Sequence, residues 1–349
     1  MKLNSKLVMF FVLAILCTSL TIGSVYTGFP GMNGRIAFVR GTGEQCEIWS
    51  INPDGSGESQ LTFNGDLNIQ PAWSPDGSKI LFVRNVRDQI TNMTIWVMDA
   101  DGSGQTQLTT EAQGASFTPG WAPNGSMIVF TRYTRAEGDY DIWVMDAVGS
   151  NQKVLLDTDT NVFSPAWAPN GTLIAFSGYP PTGFSRQIWV MDADGTNTKM
   201  LTDTDRNLHP DWSPNSTNIA FTRNYDDSTR MDIWWMDADG GNQMMLIDVD
   251  DEDAHPACAP DGTEIAFGSG ASENGPLDIL VADWEAQDLF DLTDVDDDSW
   301  CPDWQPIFGV DSVGGEIMAN NLLQVLTPYL VIIVVATVAL GLLRKKAVL

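Results

Sequence analysis

Residues 71–109 read PAWSPDGSKILFVRNVRDQITNMTIWVMDADGSGQTQLT. Two landmarks in this stretch recur along the chain. The first is Pro-x-Trp running into a Ser/Ala-Pro-Asp/Asn turn. It starts at Pro71, returns at Pro119, Pro165 and Pro210, decays at Pro256 (PACAPDG) and ends at Pro302 (PDWQP), in steps of 48, 46, 45, 46 and 46 residues. The second, IWVMDADG at Ile95, returns at Ile142, Ile188 and Ile233, with worn copies at Ile48 (IWSINPDG) and Ile279 (ILVADWEA). Self-similarity at such a period marks a repeat architecture.

Each copy carries four short strand signals rich in β-branched and aromatic residues. In the quoted copy they are 70–74, 79–84, 94–100 and 105–109, separated by Gly, Asp and Asn turns. Ser74-Pro75-Asp76-Gly77 has the residue preferences of a type I turn, which folds the first strand onto the second. One such sheet cannot bury both faces alone, whereas radial packing lets neighbours cover each other. The Trp of Pro-x-Trp (Trp73, Trp121, Trp167, Trp212, Trp304) suits the space between blades. Pro is tolerated in a strand whose missing N–H faces away from the sheet, which predicts that this strand borders a central channel. The first copy lacks Pro-x-Trp and the last stops just after it. If 301–306 supplies the inner strand of the N-terminal copy, pairing with 35–40, the ring closes with six blades. The predicted fold is therefore all-β: a six-bladed propeller of four-stranded antiparallel blades over 34–306.

The repeat Pro-x-Trp-Ser-Pro-Asp-Gly-x-x-Ile-x-Phe, followed by Ile-Trp-x-Met-Asp-x-Asp-Gly, resembles that of TolB-like β-propellers from Gly34 to Pro306. Cys258 departs from it where Trp is expected, as does the last copy's ILVADWEAQ. The resemblance implies the fold and leaves function open, because such propellers serve as protein-binding scaffolds, as gating domains of peptidases and as surface modules.

The chain of 349 residues carries 18 Lys and Arg against 46 Asp and Glu, a net charge of −28. Such a surface repels nucleic acid and anionic lipid and favours cations or basic partners. Five of the bases, Lys2, Lys6, Arg344, Lys345 and Lys346, lie in the two end segments. Lys2 and Lys6 precede LVMFFVLAILCTSLTIG, a secretory signal pattern over 1–23. After a linker (307–321), 322–343 is a 22-residue stretch without charge, long enough for a transmembrane helix, and a basic tail (344–349) follows. The positive-inside rule places that tail in the cytoplasm and the repeats outside the cell. The segment from VGGEI onward also resembles the C-terminal anchors of archaeal cell-surface proteins. Four cysteines, one of them in the leader, do not make a disulfide framework.

Strand direction assigns the connections to two faces. The first-to-second and third-to-fourth turns share one face and are short. The other connections share the opposite face, vary in sequence and hold most of the acid, so function is expected there. Candidate binding residues are Asp157, Asp159, Asp203, Asp205, Asp248, Asp250, Asp294 and Asp296. Their Asp-x-Asp spacing imitates half of a Ca²⁺ loop without its Gly and bidentate Glu; the alternative is an acidic rim. The residue before each inner-strand Pro reads Gln70, Thr118, Ser164, His209, His255 and Cys301 around the ring. His209, His255 and Cys301 fall on consecutive blades and form a candidate Zn²⁺ or copper set, with Asp211 or Asp303 nearby. The alternative is packing near the channel. Asn92, Asn124, Asn170 and Asn215 are Asn-x-Ser/Thr glycosylation candidates, three of which stand where other copies have a turn Asp. No familiar hydrolase or nucleotide motif is present. The expected function is binding of a surface or envelope protein, a peptide or a glycan through the acidic face. The alternatives are a metal-dependent hydrolase or lyase at the channel mouth, and a structural envelope component.

Overall fold

The Ser-Pro-Asp-Gly turn sets the geometry of each repeat. The Gly77 N–H donates to the Ser74 carbonyl at 2.8 Å. Gly77 sits at φ +67°, and a Cβ there would lie 2.5 Å from the Pro306 carbonyl oxygen, so glycine serves both the turn and the approach of the neighbouring blade.

The computed structural model describes residues 32–42, 45–85, 92–134, 138–225, 231–248, 253–270, 277–284, 288–293 and 298–307. The expected leader, apolar segment and basic tail lie outside these residues, as do the linker beyond Ile307 and Asp250, Asp294 and Asp296. Among the described residues no helix is long and apolar enough to cross a membrane.

Six four-stranded antiparallel sheets form the ring. In chain order we call them blades 1 to 6. Blade 2 contains Leu67–Trp73, Lys79–Asn85, Met93–Asp99 and Thr106–Gln107. Its inner strand begins before the expected Gln70, because Leu67, Asn68 and Ile69 pair with Asn85, Arg84 and Val83. Its outer strand is shorter than expected. The Thr109 hydroxyl turns back to accept the Ile95 N–H at 2.8 Å, which ends the ladder. Thr62, Thr202 and Thr293 do the same for Ile48, Ile188 and Ile279.

Blade 1 is assembled from both ends of the array. Ser299–Ile307 is its inner strand and pairs with Met32–Thr42, placing Ile36 opposite Trp304 and Arg40 opposite Ser299. This is the expected closure, extended at both ends.

Each blade buries one phenylalanine completely or nearly so: Phe38, Phe82, Phe130, Phe176, Phe221 and Phe267. The tryptophans of Pro-x-Trp fill the space between blades, as expected. Trp73, Trp121, Trp212 and Trp304 are buried, whereas Trp167 is half-buried. Three of them also bond to the preceding blade: Trp121 Nε1 donates to Ala72 O at 3.2 Å, Trp212 to Ala166 O at 3.1 Å and Trp304 to Ala257 O at 3.0 Å. Trp212→Phe keeps most of the packing and removes one such bond. It is expected to lower stability by about 1 kcal/mol in urea unfolding. An unchanged midpoint would show that the bond contributes nothing.

Candidate functional site at the channel mouth

The six inner strands share one irregularity. In every one the pairing register shifts at the residue before Pro and the Pro itself, as between Ile69 and Ala72 or Leu208 and Asp211. The residue before Pro is left-handed in all six: Gln70 (φ 56°), Thr118 (44°), Ser164 (50°), His209 (48°), His255 (56°) and Cys301 (50°). None is glycine, and Thr118 is β-branched, so each conformation carries strain of roughly 1–3 kcal/mol. A bulge of this kind re-aims a side chain. Here all six residues line a central cavity of ≈ 240 Å³, together with the prolines that follow them. The sequence identified these positions as equivalent. It did not show the conformation they share.

Aromatic and basic groups gather on the loop-face side of this ring. Phe117 lies 5.9 Å from Tyr140, which lies 4.9 Å from Phe163. The Arg186 guanidinium sits over Phe163 at 4.9 Å and within hydrogen-bonding reach of the Tyr179 side chain. His209 stacks on His255 at 3.8 Å between centroids, and His255 meets Trp300 edge-on at 6.2 Å. Phe117, Phe163 and Trp300 each stand one residue ahead of the left-handed position and are half-buried.

The channel residues are open to the lumen but surrounded by protein, and their titration reflects the enclosure. Burial, then His255, Arg186 and Arg206, holds His209 well below the usual imidazole range. Burial takes His255 down to about 4. Both rings are therefore neutral at neutral pH. Farther in, Asp211 is pushed up by burial to about 6, against the N–H of Cys258 donating to it at 2.7 Å. Asp303 is pushed up by burial to about 8, although the Trp73 N–H donates to it at 2.6 Å; Asp211 adds to the rise.

Burial also raises the Cys301 thiol well above its ordinary value. His209 and His255 come together, but Cys301 does not complete a metal set with them. Among the described residues no three His, Cys, Asp or Glu side chains are grouped to hold an ion. The two imidazoles stack on each other, a packing contact.

The acidic candidates stand farther out. Asp157, Asp159, Asp203 and Asp248 are exposed. Asp205 is turned inward, with Oδ2 4.0 Å from Arg223 Nε. The described part of these loops thus forms an acidic rim without a three-carboxylate site. Asn124, Asn170 and Asn215 each accept the N–H and hydroxyl two residues on, the role that Asp261 plays toward Thr263. The turn therefore accounts for their Asn-x-Ser/Thr pattern. Asn92 is half-buried at the entry to the third strand of blade 2.

One repeated device escaped the sequence reading. Arg40, Arg84, Arg132 and Arg223 each lie over a strand-two Phe and a strand-three Trp, as Arg84 does over Phe82 (5.3 Å) and Trp96 (4.4 Å). The signal was Phe-x-Arg in the second strand, visible as Phe82-Val83-Arg84 and Phe130-Thr131-Arg132. These arginines brace their own blades. Arg186 instead comes from the loop before the third strand of blade 4, lies over Phe163 and acts electrostatically on His209.

The class defined by this geometry is a closed six-bladed propeller with an elaborated channel mouth. A sequence model of the TolB beta propeller domain matches residues 28–139 and 132–307. The chain belongs to that family. No curated protein matches it. Among solved structures it is similar to TolB from Acinetobacter baumannii, at 20% identity and a TM-score of 0.66 over 83% of this chain and 70% of that one. Putative TolB from Agrobacterium tumefaciens gives 18% identity and a TM-score of 0.61 over 79% and 99%. Hydrazine synthase from Kuenenia stuttgartiensis gives 16% and 0.67, over 81% of this chain and 48% of that one. At these identities the likeness establishes the fold.

Proposed function

We propose that the chain is a protein-interaction propeller, displayed outside the cell on a single C-terminal membrane anchor, which binds an extended peptide segment of its partner at the channel mouth. The observation that carries the reading is the ring of six strained residues around one lumen, since strain of this kind persists where it shapes a site. TolB-like propellers mediate protein interactions, which supports a protein partner. Beyond the mouth lies a mostly polar groove lined by Asp159, Tyr179 and Phe184, where the Phe184 ring is 98% exposed. The acidic rim favours a partner with basic flanks. The anchor and the outward orientation rest on the 322–343 stretch and the basic residues after it.

A photo-crosslinker placed at Ser164 tests the site in whole cells, with Gln60 on an outer strand as control. A discrete crosslinked protein is expected from Ser164 and none from Gln60. Equal labelling at both positions, or none at Ser164, would remove the mouth as the binding surface.

A further inference from the structure

At the mouth, the loop-face end of the lumen is basic in a protein whose net charge is −28. Arg186 and Arg206 both act electrostatically on His209, so the two guanidiniums lie within electrostatic range of that ring, and Arg186 lies over Phe163, on the strand beside it in the ring. Neither arginine has a carboxylate partner among the described residues. The nearest acid in sequence, Asp205, is turned toward Arg223 instead. Two buried nitrogens here also lack a hydrogen-bond partner, Arg186 Nε and His209 Nδ1. Buried donors without partners are uncommon, and each such group calls for an explanation. Like charges held together without a counter-ion are unfavourable unless something neutralises them. The neutral His209 ring, as its Nδ1-protonated tautomer, can donate one hydrogen bond without adding charge.

We propose that this corner of the mouth binds a carboxylate, the C-terminal carboxylate of a peptide, with Arg186 and Arg206 supplying the charge and His209 Nδ1 a further hydrogen bond. The surroundings select among anions. Asp211 lies deeper in the same cavity and opposes a dianion moving inward. The exposed Asp157, Asp159 and Asp203 oppose ligands with further negative charge and attract basic residues. The fitting ligand is therefore a chain end with one carboxylate, an apolar last residue to lie against Phe163, and basic residues a few positions earlier.

This inference rests on the peptide-binding reading and deepens it. The chain has only two histidines, His209 and His255, so their imidazole NMR signals report on the mouth alone. The probes are N-acetyl-Lys-Lys-Gly-Phe with a free carboxylate and the same peptide amidated, titrated into the full-length chain. The acid is expected to shift the His209 signals saturably, at least tenfold more tightly than the amide, and Arg186→Gln to abolish that difference. The comparison of acid with amide on the unaltered protein stands even if the variant misfolds. Equal affinity for acid and amide would overturn carboxylate recognition while leaving the mouth a peptide site. No response to either peptide would overturn carboxylate recognition, and the crosslinking test would then decide the broader reading alone.

Discussion

A chain that ends at Asp298 is expected to lose cooperative unfolding. The truncation removes Ser299–Ile307, the inner strand of blade 1, and with it the whole ladder to Met32–Thr42. It also removes contacts on both sides of the ring: Trp304 Nε1 donates to Ala257 O in blade 6, and Asp303 accepts from Trp73 N in blade 2. A three-stranded blade 1 would leave the channel-side edge of Met32–Thr42 unpaired and the face of blade 6 uncovered. Because each blade buries its faces only against its neighbours, the loss propagates around the ring. Circular dichroism against urea is expected to show a broad, non-cooperative transition where the longer chain gives a single sharp one. A truncated protein with an unchanged midpoint and slope would refute closure by this strand.

Between pH 6.5 and pH 8, stability is expected to fall as pH rises, and Asp303→Asn to remove most of the fall. Asp303 titrates near 8 in the folded chain against an ordinary 3.8. Across this window the native state holds a proton that the unfolded chain has already released. Native stability therefore declines with pH by up to about 1.4 kcal/mol per unit, falling off as the group titrates, or about 1.6 kcal/mol over the window, less whatever water in the lumen screens. Other groups act elsewhere. Asp211, near 6, contributes mainly at lower pH. The depressed values of His209 and His255 lead to a loss of stability as pH falls below the usual imidazole range, the opposite sense. The buried thiols of Cys46, Cys258 and Cys301, all raised by burial, extend the decline above pH 8. Urea midpoints of both proteins at pH 6.5 and 8 give the answer. A parallel fall in both would show that Asp303 is not the group responsible.

The ring was legible because it is written six times. Pro-x-Trp fixed the inner strand, its spacing fixed the blade, and the split copy at Ile36 and Trp304 fixed the closure. The left-handed ring was hidden because Gln70, Thr118, Ser164, His209, His255 and Cys301 share no chemistry; the bulge imposes their conformation, and only their place before Pro was visible. Symmetry likewise brought His209 and His255 together on paper, but spacing does not say how rings turn, and they stack. Asp205 read as one more rim acid because its contact, Arg223, lies on another strand. The placement of Arg186 over Phe163 was invisible since it comes from a loop whose path no periodicity describes. The expected leader and apolar segment were read from composition and lie outside the described residues.

The pairing of Met32 with Ile307 gives the ring a polarity. Both residues stand where inner strands finish, beside the short turns: Asn33 accepts from Asp261 N in the turn of blade 6, and Gln305 donates to the Gly77 carbonyl in the turn of blade 2. The first and last described residues of the array thus sit on the side opposite the channel mouth. Among the described residues the channel mouth is therefore ringed by the loops between strands, and neither end of the array crosses it.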